Sequence, residues 1–76
     1  MEIGKGIAVV DGMVLDNVSL GQRVRLARIT RGMRQLDLAS VTGLNPGDVV
    51  NIEHDRSVHY WKLRRVLDTL EISVKP

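Results

Sequence analysis

The sequence predicts a mostly α-helical domain of four or five short helices, with a helix-turn-helix and an N-terminal β-hairpin. Three observations predict it. Residues 35–53, QLDLASVTGLNPGDVVNIE, hold two short apolar patterns broken by Gly43 and restarted at Asn45-Pro46. Leu63, Val66, Leu67 and Leu70 recur at helical spacing near the C-terminus. Two β-prone runs, Ile7–Val10 and Met13–Leu15, flank Asp11-Gly12, a strong two-residue hairpin signal because both turn positions favour positive φ.

Each element has local reasons. A lone hairpin is marginal in water, so this one is expected to pack on something. The first helix is expected to start at Ser19, with Gln22 completing a capping box, and to run to about Arg31 before Gly32. The second is expected over about Gln35–Thr42, with Leu36, Leu38 and Ala39 as its apolar pattern. Gly43 sits where a residue free to take positive φ ends a helix, and Leu44 follows as an apolar plug. Asn45 offers a cap, and Pro46 falls at the first helical position, where its missing N–H costs nothing. Asp48 then suits a capping-box variant, and Val49 and Ile52 give this third helix a buried face over about Pro46–His54. The fourth helix is expected over about His59–Leu70. The organisation is a hairpin extension at 1–18, a helix-turn-helix domain at 19–72 and a frayed tail at 73–76.

Seventy-six residues suffice for one core. No apolar run reaches membrane-spanning length and no secretory leader is evident, so a membrane role is not expected. Cysteine is absent, which removes disulfides and thiol chemistry and fits a cytoplasmic location. His54 and His59 are five apart, off register for shared metal ligation, so neither a metal nor any cofactor is expected. Gly4-Lys5-Gly6 is too short for a phosphate loop. No nucleophile–base or metal cluster points to an enzyme.

Net charge is only +2, yet five arginines (Arg23, Arg25, Arg28, Arg31, Arg34) fall between Leu20 and Arg34 with no acid among them. Such a cluster reads either as a phosphate-binding footprint or as a solvated helix face. Its place just ahead of the helix pair favours phosphate.

Residues 20–72 resemble the Cro/C1-type, lambda-repressor-like helix-turn-helix family of phage repressors and their bacterial relatives. The resemblance rests on LGQRVRLARITRGMRQLDLA, then GLNPGDVVNIE, then a helix ending VLDTLEI. It implies sequence-specific binding of double-stranded DNA, as a homodimer on a palindromic operator. It also implies that Gln35 grips a backbone phosphate and that Asn45, Pro46, Gly47, Val50 and Asn51 face the groove. Arg34, His54 and Arg56 join them as expected DNA contacts, and Arg28 with Glu53 is implied as an internal, structural ion pair.

Departures from the family pattern are equally specific. The third helix carries no Arg or Lys, and Asp48 is acidic. Its base chemistry rests on Asn45 and Asn51, whose amides suit adenine, and on the methyls of Val50, which suit thymine. Arg34 stands where a capping hydroxyl is usual, and the loop at 55–58 is one residue short. Leu26, Ile29 and Leu36, with Val41, are apolar where the family is commonly polar. They form an expected contact for the hairpin, a second subunit or another protein. Tyr60 is expected in the core. Trp61 is expected over the preceding loop or at a partner interface. The alternative functions are the antitoxin of a toxin–antitoxin pair and an interaction module that keeps the fold without binding DNA.

Overall fold

The computed structural model describes residues 7–10, 13–16 and 18–73. Strands β1 (Ile7–Val10) and β2 (Met13–Asp16) pair antiparallel, Ile7 opposite Asp16 and Val10 opposite Met13. The expected Asp11-Gly12 turn, Gly4-Lys5-Gly6 and tail residues 74–76 lie outside the described residues. Four helices follow: α1 (Leu20–Thr30), α2 (Gln35–Thr42), α3 (Pro46–Glu53) and α4 (Tyr60–Thr69). None is long and apolar enough to cross a membrane.

Local chemistry sets the helix ends. Ser19 Oγ accepts the Gln22 N–H at 3.1 Å, and Gln22 Oε1 accepts the Ser19 N–H at 3.1 Å. Both are backbone donors that the helix cannot itself satisfy. Gly43, at φ 71°, ends α2 in the left-handed region. This lets the Leu44 N–H return to the Ala39 carbonyl at 2.9 Å and seats Leu44 against the core. Pro46 opens α3 after a three-residue turn.

Among the described residues nine apolar side chains make the core: Val24 and Ala27 of α1, Leu38 and Ala39 of α2, Val49 and Ile52 of α3, and Val66, Leu67 and Leu70 at α4. Each fully buried aliphatic side chain contributes about 1.5–3 kcal/mol. Thr42 is buried with them because its hydroxyl donates to the Leu38 carbonyl at 2.7 Å.

Two close contacts lock α1 to the end of α3. A Cβ on Gly21 would stand 2.5 Å from the Ile52 carbonyl oxygen and 2.7 Å from that of Glu53, so only glycine permits this approach. Asp55, just beyond α3 at φ 59°, accepts the Gly21 N–H at 2.8 Å. The first turn of α1 has no acidic residue, so a carboxylate from another element serves its positive end. The Ser19 hydroxyl, followed by the Gly21 N–H, holds the Asp55 carboxyl below the ordinary aspartate range.

Tyr60 departs from expectation: it is 69% exposed rather than in the core. It occupies the first position of α4, where side chains lean back past the helix end, and it shares the outer face with Trp61, Arg64 and Arg65. Trp61 is half-exposed, with the guanidinium of Arg65 over its ring. Ile29, Leu36 and Val41 are exposed and Leu26 is half-buried.

Candidate nucleic-acid interface

Helix α3 is gripped on one side and open on the other. Val49, Ile52 and Glu53 are buried, whereas Asn45, Pro46, Gly47 and His54 are exposed and Val50 and Asn51 half-buried. The 3.6-residue period thus separates the anchoring side chains from those expected to face a groove.

An ion pair fixes the angle of α3. Arg28 Nε lies 2.6 Å from Glu53 Oε2 and Arg28 Nη2 lies 3.1 Å from Glu53 Oε1. Arg28 Nη1 also donates to the Met33 carbonyl at 2.8 Å. Arg28 and Glu53 are 7% and 6% exposed. Gln35 joins them, its Nε2 donating to Glu53 Oε1 at 3.1 Å. One carboxylate therefore ties α1, α2 and α3 together. Gln35 keeps a second amide N–H for an outside acceptor, and Glu53 sets the orientation of that amide.

The remaining charges near α3 are mostly paired within the protein. Arg34 makes a two-pronged contact to Asp37, Nε to Oδ2 and Nη2 to Oδ1, both at 3.0 Å. The Arg34 N–H also donates to Asp37 Oδ2 at 2.8 Å, so Asp37 supplies the carboxylate half of a capping box. These bonds, the guanidinium's first, bring the Asp37 pKa down to about 2. Asp48 accepts the Asn45 N–H at 3.2 Å and, through Oδ1, the Lys62 ammonium at 3.2 Å. Its charge is therefore balanced by an ammonium from α4. The Asn45 side chain makes no cap bond and stays free. His54 Nδ1 lies 3.0 Å from the Val50 carbonyl. Arg56 Nη1 reaches Asn51 Oδ1 at 3.5 Å.

The arginine cluster of residues 23–34 does not form one face. Arg28 is buried with Glu53, Arg31 meets Glu71 and Arg34 meets Asp37. Arg23 donates to the Ser73 carbonyl at 3.4 Å, beyond the end of α4. Helical period and tertiary pairing scatter what reads as one patch in the sequence. Between residues 34 and 62 there are three basic and four acidic side chains, the histidines apart.

Sequence reasoning missed the Lys62–Asp48 pair, the Asp55–Gly21 contact and the sharing of Glu53 by Gln35. Only Asp37 carried a readable signal, its spacing of three from Arg34. Among the described residues no group of three or more His, Cys, Asp or Glu could hold a metal. No protein-family model matches the chain, and no curated protein matches it.

Proposed function

We propose that this protein is a Cro/C1-type, lambda-repressor-like DNA-binding regulator. In this reading α2, its turn and α3 form the helix-turn-helix, and α3 enters the major groove of a specific duplex site. One observation carries the reading: α3 is fixed by Val49, Ile52 and the Arg28–Glu53 pair while its opposite face stands open and free of uncompensated charge. Asn51 and Asn45 then read adenine edges, Val50 meets a thymine methyl, and Gly47 lets the backbone come close. Gln35, Arg34 and Arg56 hold the backbone and set register, since phosphate contacts carry no direct sequence information. The protein acts as a homodimer on a palindromic operator, with half-sites about 34 Å apart.

Selection of bound sequences from a random duplex pool tests this directly. Enrichment of a palindromic, A·T-containing motif is the expected result. Arg34 and Arg56 are the two cations each protomer brings to phosphate, so a dimer neutralises about four phosphates and the slope of log affinity against log salt is about −4. Failure to enrich any motif, with no duplex binding at low salt, refutes the proposal.

A protein-interaction role, including that of an antitoxin, is the second reading. It is favoured by exposed Ile29, Leu36 and Val41 beside a helix pair, residues 35–53, that holds Asp37, Asp48 and Glu53 and no Lys or Arg.

A further inference from the structure

The chain has one tryptophan, one tyrosine and no phenylalanine, and the buried core uses neither ring. Both stand side by side at the start of α4, with Tyr60 69% and Trp61 52% exposed. Aromatic side chains offer large apolar areas, and folding leaves much of this area unused. Trp61 lies nearly opposite Val66, Leu67 and Leu70 around the helix, so its ring points away from the core. The ring is held in place from its own helix. Arg65 sits 5.1 Å and Lys62 5.7 Å from its centroid, and Arg65 Nη1 donates to the Thr42 carbonyl at 3.3 Å. Tyr60, Trp61, Arg64, Arg65, Asp68 and Thr69 line a groove of about 380 Å³.

We propose that this outer face of α4 is a docking site for an acidic segment of a partner protein. One large apolar side chain of that segment seats beside Trp61, and its carboxylates meet Arg64 and Arg65. Charge selects this occupant. The groove carries two arginines against one aspartate; Arg64 Nε already meets Asp68 Oδ1 at 3.2 Å in an exposed pair, so the groove keeps a net charge of +1, centred on Arg65. In addition, the first turn of α4 holds no acid and His59 makes no side-chain cap, leaving the helix's positive end unbalanced. Arg65 spends one N–H on Thr42, and a guanidinium has five, so donors remain for a carboxylate. Trp, Tyr and Arg are the residues enriched where interface energy concentrates. A second copy fits worse. A two-fold contact sets the same arginines against each other, and six lining residues fall far short of the roughly 20–30 a side of a stable interface.

The single tryptophan makes the test direct. The probe is a twelve-residue peptide of Asp and Glu with one central Phe or Leu, titrated against the full chain while Trp61 emission is followed. One control peptide has Lys for the acids and another has Ala for the apolar residue. A saturable emission change with the acidic peptide alone is expected. Arg65→Glu and, separately, Arg64→Glu should each weaken it by about tenfold or more with unchanged helical circular dichroism. Arg64→Glu stands as the safeguard if loss of the Thr42 contact unfolds Arg65→Glu. No saturation by about 1 mM peptide, or equal responses to the three peptides, overturns the proposal. So does quenching of Trp61 by duplex DNA that both arginine substitutions abolish, or a concentration-dependent increase in mass that Trp61→Ala removes. These would assign the face to DNA or to a second copy.

Discussion

Gly21→Ala probes the contact on which the placement of α1 against α3 depends. The added methyl would lie 2.5 Å from the Ile52 carbonyl oxygen, 2.7 Å from that of Glu53 and 2.8 Å from Asp55 Oδ1. Ordinary C···O contacts begin near 3.3 Å, so α1 must retreat by about 0.8 Å. Two of the three obstacles are backbone, so no rotamer change relieves them. Overpacking of this kind costs about 1–3 kcal/mol, and obstruction by backbone puts it at the upper end. Alanine's better helix propensity returns about 1 kcal/mol. The net loss is about 2 kcal/mol, a fall in Tm of about 8–16 °C for a domain this small. Thermal unfolding followed by circular dichroism measures it. Gly47→Ala is the control: it also lies in a helix, but a Cβ there meets nothing within 4 Å, so Tm should rise slightly. If Gly21→Ala unfolds at the wild-type temperature or above, α1 does not approach the end of α3 this closely, and the placement argued here is wrong.

Glu53→Gln should lower stability by about 3 kcal/mol, because it leaves the buried Arg28 charge without its counter-charge. Unchanged melting with lost DNA binding would instead make the pair part of the interface. Asp55, held below its ordinary pKa in the folded state, takes up its proton more readily in the unfolded chain. Its contribution is therefore complete above about pH 4 and is lost as pH falls through the lowered folded value. Asp55→Asn should flatten that part of the acid-unfolding curve, and a superimposable curve would refute the contact. On the best duplex site, Asn51→Ala should cost about 1–3 kcal/mol and relax preference at one position. Gln35→Ala should weaken all sequences alike, and a competition assay giving the reverse would reject this orientation of α3.

What the sequence by itself determined is what acts within a turn or two of chain. Ser19 with Gln22, Gly43, and Pro46 with Asp48 reaching back to the Asn45 N–H place their helix ends within a residue, because a cap satisfies backbone groups only three or four residues away; the expected cap from the Asn45 side chain itself does not form. Core side chains such as Val49, Ile52, Val66, Leu67 and Leu70 were equally legible, since burial follows the period of the helix. The Arg28–Glu53 pair was accessible only through resemblance; nothing local links residues 25 apart. Tertiary structure alone decided which charges meet. Lys62 takes Asp48, Asp55 reaches back to Gly21, and Gln35 shares Glu53; Arg28, Arg31 and Arg34 each turn to a different acid, dispersing the arginine run that looked like a single phosphate patch. It also decided that Tyr60 lies outside, since periodicity places a residue on a face but not beyond the last element that covers it. The physical reason is common to all of these. A side chain's partner is whichever group packing brings within about 3 Å, and in a bundle that group comes from another helix.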